Sequence, residues 1–199
     1  MSAENEKDRA IKAGIGLCGA HRVGKTTLAQ SLSDSLQLPF VKTNTSEVFR
    51  KWRIEPDVPI TFEIRLGIQR HILEAAVELW SREKEAFITD RTPLDMAAYT
   101  LADIQGATTL DTKELFDYLD DCFRRTHKFF STLIIIPPGI PLTHETGKAA
   151  LNECYIEHVH NLVVGLCHDE RIKQKVFALQ RETLPLNDRV NNIIAFLNG

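Results

Sequence analysis

Cysteine is scarce in this chain and never closely spaced. Cys18, Cys122, Cys154 and Cys167 are scattered with no C-x-x-C among them. A zinc site and a disulfide framework are therefore both unsupported, and a reducing compartment fits best. Long apolar runs are missing too, since none approaches the ~20 residues that a membrane-spanning helix needs. Positive charge is not in excess: the formal net charge is −3, so no global basic field draws nucleic acid. Met1 to Arg9 is charged and has no apolar signal-peptide region, which reads as a loose tail and, with the rest, as a cytoplasmic protein. No Asn-Lys-x-Asp occurs, so a guanine pocket of the GTPase type is unsupported. The apolar run Thr132 to Ile136 ends in Pro137-Pro138, where a motor-type ATPase usually has an Asp-Glu pair. Repeats and low-complexity segments are absent as well.

What the chain does have is size, a core and one strong motif. Its 199 residues suit one domain, expected over 11–199 after a tail at 1–10, and a hydrophobic fraction of 43% is enough for a packed interior. Gly19-Ala20-His21-Arg22-Val23-Gly24-Lys25-Thr26-Thr27 matches G-x-x-x-x-G-K-[ST]. Ile15 to Cys18 before it reads as a buried strand, and Thr26 to Leu36 after it as a helix with Leu28, Leu32 and Leu36 on one side. Strand, glycine loop and helix form the context that makes this pattern a phosphate-binding loop. Gly19 and Gly24 permit turns that side chains would block. The loop N–H groups then converge at the positive end of the helix dipole. Lys25 would reach the β- and γ-phosphates, and the Thr26 hydroxyl would hold Mg²⁺.

Short apolar strands alternate with longer helical patterns, which predicts a parallel sheet with helices on both faces. Strands are expected at about Lys12–Cys18, Leu38–Lys42, Ala86–Thr89, Thr132–Ile136 and Lys175–Leu179. Helices are expected through Val48, Phe49 and Trp52, and at about Phe62–Glu83, Pro93–Asp103, Thr112–His127, Lys148–Cys167 and Asn187–Leu197. The expected architecture is the three-layer P-loop NTPase sandwich, five parallel strands in the order 2-3-1-4-5. Ile54–Pro59 and Pro137–Gly147 read as loops of that one domain.

Asp90 is the second anchor, because it follows an apolar strand and opens Asp90-Arg91-Thr92-Pro93-Leu94-Asp95. A P-loop phosphotransferase needs a carboxylate near the metal and the attacking hydroxyl. With strand three beside strand one, Asp90 would sit next to Lys25 and Thr26, and Arg91 could contact the transferring phosphate. Asp95 lies in the first turn of a helix, where a carboxylate is favoured anyway. Thr43 to Ser46 should wall the acceptor side, while Arg65 and Gln69, at i,i+4 on the long helix, read by default as a solvated face. Lys148, with His144 nearby, is the cation available to a lid. Arg181 could lie over an adenine ring. Arg124, Arg125 and Lys128 form a small basic patch at a helix end.

The stretches Gly19 to Ala29 and Ile88 to Asp95 resemble the P-loop kinases grouped with the nicotinamide-riboside-kinase-like ATPase domain. They also resemble bacteriophage proteins known only as AAA family ATPases, as do Ile136 to Pro141 and Gly147-Lys148-Ala149. The resemblance implies ATP, Mg²⁺ and a nucleoside, nucleotide or similar acceptor, with Lys25 and Thr26 on phosphate and metal and Asp90 as base or metal ligand. If the chain is phage-encoded, the compartment is the host cytoplasm. Alternatives are a kinase acting on a modified base in DNA and a nucleotide-dependent ATPase or switch.

Overall fold

The computed structural model describes residues 14–52, 60–106, 108–109, 111–142 and 152–199. Five parallel strands form its centre: β1 (Gly14–Cys18), β2 (Phe40–Val41), β3 (Ile88–Thr89), β4 (Phe130–Ile135) and β5 (Lys175–Ala178). Their order is β2-β3-β1-β4-β5, the order expected from the sequence. β1 lies between β3 and β4, with Ile15 opposite Ile88 on one side and Thr132 on the other. All five β1 residues are buried, as a central parallel strand covered on both faces requires.

The helices are α1 (Lys25–Leu36), α2 (Thr45–Trp52), α3 (Phe62–Arg82), α4 (Pro93–Ala102), α5 (Thr112–Phe129), α6 (Glu153–Cys167) and α7 (Leu186–Asn198). They cover the sheet in two groups. α1 packs on α7, while α4 packs on α3, α5 and α6. Local chemistry starts several of them. Thr61 caps α3, Asp111 caps α5 by accepting from the N–H groups of Lys113 and Glu114, and Asn152 caps α6. Beneath α3 the core is aromatic. Trp80 lies edge-on to Phe130 at 5.1 Å and tilted against Phe129 at 5.6 Å, with Phe87 also edge-on to Phe130. The Trp80 indole donates to the Thr89 hydroxyl at 3.4 Å, so α3 is tied to β3 just before Asp90.

The boundaries differ from expectation in two places. β2 and β3 keep only two residues each as paired strand, and β4 begins at Phe130 because α5 runs directly into it. α6 is described from Glu153, so the expected helix start at Lys148 falls outside the described residues, as do the loop 54–59 and residues 1–13. No helix among the described residues is long and apolar enough to cross a membrane.

Candidate functional site

β1 ends at Cys18, and the chain then turns through Gly19 to Gly24 before α1 begins at Lys25. Glycine is required at both ends of the turn. A Cβ on Gly19 would lie 2.6 Å from the Ile136 carbonyl oxygen, and Gly24 has φ +81°. Between them Arg22 adopts φ +65°, a left-handed conformation that costs a non-glycine residue roughly 1 kcal/mol or more.

Three side chains from other elements hold this turn. Asp95, fully buried in α4, accepts from the Gly19 N–H at 2.7 Å. Its other oxygen accepts from the Thr92 N–H at 2.7 Å and the Thr92 hydroxyl at 2.8 Å, closing a capping box. Asp95 is thus both a helix cap and the anchor of the phosphate loop. Arg189 of α7, also buried, donates both terminal nitrogens to the Val23 carbonyl at 3.3 Å, and burial lowers its pKa. Tyr99 of α4 takes the His21 N–H at 2.7 Å.

Lys25 is enclosed in the loop. It is 8% exposed, and its ammonium donates to the Gly19 and Ala20 carbonyls, both at 2.5 Å. Burial pulls its pKa from 10.5 down to about 8. The Asp95 and Asp90 carboxylates oppose that shift and the Arg91 guanidinium adds to it. A phosphate chain placed in the loop would supply the counter-charge that this ammonium lacks.

Asp90 stands at the carboxyl end of β3, beside the end of β1. Its Oδ2 accepts from the Thr26 hydroxyl at 2.6 Å, and its Oδ1 from the Thr43 hydroxyl at 3.2 Å and the Thr43 N–H at 3.3 Å. Two hard oxygen donors, Thr26 Oγ1 and the Asp90 carboxylate, are therefore in direct contact. They suit a small divalent cation whose remaining ligands would be water and phosphate oxygens. Among the described residues no group of three His, Cys, Asp or Glu converges to hold a metal, so a cation here would rest on this pair. Arg91 lies over the Tyr99 ring at 5.5 Å.

The remaining sequence-predicted residues divide. Gly19 to Thr26, Asp90 and Arg91 come together, and Thr27 is exposed on the first turn of α1. Arg181 forms an ion pair with Glu157 of α6, and the Arg181 carbonyl passes close by Gly139. Lys148 and His144 lie outside the described residues.

The solvated face expected on α3 is not solvated at Arg65 and Gln69. Arg65 meets Asp103 at 2.5 Å. Gln69, one turn on, is 4% exposed with its Oε1 unpartnered. Because α3 runs back to feed β3, its first turns lie at the sheet edge where β1 and β3 end. Sequence reasoning missed Tyr99 and Arg189, and it set Thr43 on the acceptor side without its contact to Asp90. Neither Tyr99 nor Arg189 carried a signal in the sequence.

A loop between β1 and α1, a carboxylate at the end of β3 and the order 2-3-1-4-5 define a P-loop NTPase fold. A family model described as an AAA domain matches residues 15–132, more than half of the sequence, and the chain belongs to that family. No curated protein matches the chain. Among solved structures, deoxyadenosine kinase from M. mycoides with dCMP and dCDP is similar at 17% identity and a TM-score of 0.70, covering 93% of this chain and 98% of that one. NadR protein in complex with NR is similar at 15% identity and a TM-score of 0.67, covering 96% of this chain but 51% of NadR. YorR protein from Bacillus subtilis, in complex with phosphorylated GDP, is similar at 14% identity and a TM-score of 0.51, covering 94% and 96%.

Proposed function

We propose that the chain is an ATP- and Mg²⁺-dependent phosphotransferase whose acceptor is a nucleoside, a nucleotide or a similar small molecule. The observation that carries this reading is the contact of Thr26 with Asp90 at 2.6 Å beside the enclosed ammonium of Lys25. Lys25 neutralises charge on the β- and γ-phosphates, and the loop N–H groups hold the rest of the chain. Asp90 and Thr26 hold Mg²⁺, which when bound neutralises charge on the phosphates and helps align them. Asp90 also faces Thr43 at the start of the acceptor wall, so its carboxylate can orient the acceptor hydroxyl or take its proton. Arg91, whose charge acts on Lys25, offsets charge on the transferring group.

Gln69 brings a buried amide with an unused acceptor to the sheet edge where β1 and β3 end, a group suited to reading the polar edge of a base. The basic patch is committed elsewhere. Arg124 and Arg125 both pair with Asp121, and Arg125 also with Glu74 at 2.8 Å. Deoxyadenosine kinase from M. mycoides, solved with nucleotides bound, has a similar fold, and that likeness favours this acceptor class.

The test is transfer of label from γ-labelled ATP to a panel of nucleosides, nucleotides and duplex DNA. Label on a nucleoside or nucleotide, lost on chelation of Mg²⁺, is the expected result. Label on DNA alone points to the DNA-kinase alternative. Release of phosphate with no labelled acceptor refutes the phosphotransferase reading and leaves an ATPase or switch.

A further inference from the structure

We infer that Arg189 is the positioning residue that aims the Gly24 N–H at the phosphate chain of the bound nucleotide, by holding the Val23–Gly24 peptide from its carbonyl side. The inference rests on the proposed phosphotransferase reading of the loop.

Gly24 is left-handed, with φ +81° and ψ +17°, and Lys25 opens α1 directly after it. A left-handed residue followed by a helical one turns successive N–H groups, here those of Gly24, Lys25 and Thr26, toward one concavity that suits an anion. The peptide that carries the Lys25 N–H is held by α1 itself, because its carbonyl, on Gly24, accepts from the Leu28 N–H at 3.0 Å. The peptide that carries the Gly24 N–H has no such support, because its carbonyl, on Val23, precedes the helix. Backbone preference does not hold it either. A peptide turns over when ψ of the residue before it and φ of the residue after it change together, and glycine takes either sign of φ at little cost.

Arg189 supplies the missing constraint. It lies in the first turn of α7, is 4% exposed and donates from both terminal nitrogens to the Val23 carbonyl at 3.3 Å. Among the described residues nothing else donates to that oxygen. A Cβ built on Gly24 would lie 3.3 Å from Arg189 Nη1, so the guanidinium stands directly beside this peptide. The peptide is trans, and its N–H therefore points opposite to the carbonyl, away from Arg189. Among the described residues the Gly24 N–H has no acceptor. Arg189 itself is under-partnered: Nε is buried without an acceptor, and burial lowers its pKa with no carboxylate acting against it. A buried cation without an anion costs stability, so packing α7 on α1 does not by itself account for a guanidinium here. A phosphate chain on the far side of the peptide would supply the negative charge.

The test uses the full chain labelled with ¹⁵N-glycine, as wild type, Arg189→Met and Arg189→Lys. ADP affinity in the presence of Mg²⁺ is measured by calorimetry, and the assigned Gly24 and Gly19 amides are followed by NMR during the titration. In the wild type the Gly24 amide proton should move downfield as it takes up a charged acceptor. The Gly19 amide, already given to Asp95 at 2.7 Å, should move little and so reports a folded loop in each variant. Arg189→Met frees the peptide to turn over. It should lose about tenfold or more in ADP affinity, with a smaller Gly24 shift at saturation. Arg189→Lys keeps a cationic donor and should recover most of both. A wild-type Gly24 amide that stays in place on saturation with ADP overturns the inference. So does an Arg189→Met protein that binds ADP like the wild type, or one that loses affinity while keeping the full Gly24 shift. Should Arg189→Met not fold, the lysine variant decides, and a folded Arg189→Lys without the Gly24 shift overturns the inference as well. If the wild type binds no ADP, the phosphotransferase reading fails first and takes this inference with it.

Discussion

Replacing Lys25 with Met should make the nucleotide-free protein more stable while removing its nucleotide affinity. Met keeps the length of the stem and discards the charge. In the folded protein the ammonium is 8% exposed, sits on the first residue of α1, where the helix dipole opposes a cation, and has a pKa of about 8 instead of 10.5. At about 1.4 kcal/mol per pH unit, that difference is a cost of roughly 3 kcal/mol for holding the charge in the empty loop. The hydrogen bonds to the Gly19 and Ala20 carbonyls are lost with it, offsetting about 1 kcal/mol. The expected net gain at pH 7 is about 2 kcal/mol, or roughly 4–8 °C in Tm for a chain of this size.

The pH dependence gives a sharper check. Below pH 8 the lysine is charged in both the folded and unfolded states, and the whole cost is present. Between about 8 and 10.5 the folded state releases the proton while the unfolded chain keeps it. This group therefore makes the wild type gain stability as pH rises through that window. The advantage of Lys25→Met should be full at pH 6 to 7 and shrink above pH 8. Urea denaturation at several pH values without nucleotide measures it. A variant less stable than the wild type at pH 7, or an advantage that does not change with pH, would refute the reasoning.

Asp90→Asn keeps the shape and removes the charge, so ATP should still bind while turnover falls by about 10²-fold or more in a transfer assay. Asp95→Asn cannot accept at once from Gly19 and from both Thr92 groups, so denaturation should show a loss of about 2–3 kcal/mol together with weaker nucleotide binding. Gln69→Leu replaces a buried amide with an unpaired oxygen by an apolar group, so stability should hold or rise while the acceptor KM increases. Arg124→Ala with Arg125→Ala should leave transfer to a small acceptor unchanged and cost about 1 kcal/mol or less per ion pair. A steep salt dependence of duplex DNA binding that this double variant weakens would instead favour the DNA acceptor.

Much of the fold was legible along the chain because the signals are local. The glycine spacing of Gly19 and Gly24, followed by Lys25 and Thr26, dictates a turn into a helix N-terminus whatever surrounds it. Alternation of short apolar strands with helical patterns dictates a parallel sheet, and the phosphate loop after the first strand implied its order. Asp90 could be singled out because it follows an apolar strand in a chain with no carboxylate after the fourth.

Tertiary structure decided the rest. Arg65 and Gln69 look like any polar pair on a long helix, and only packing against α4 shows that they are enclosed. Asp95 carries the signature of a helix cap, and its second bond, to Gly19, spans 76 residues of sequence. Tyr99 reaches His21 across 78 residues, and Arg189 reaches Val23 across 166. Such contacts leave no periodicity or spacing to read. They exist because α4 starts beside the end of β1 and α7 packs on α1, and that adjacency is created only when the sheet forms. The sequence by itself determined that a phosphate chain could be held, through backbone conformation within a few residues. The tertiary structure decided which side chains hold the loop and how firmly Lys25 keeps its proton there, because burial and long-range neighbours set both.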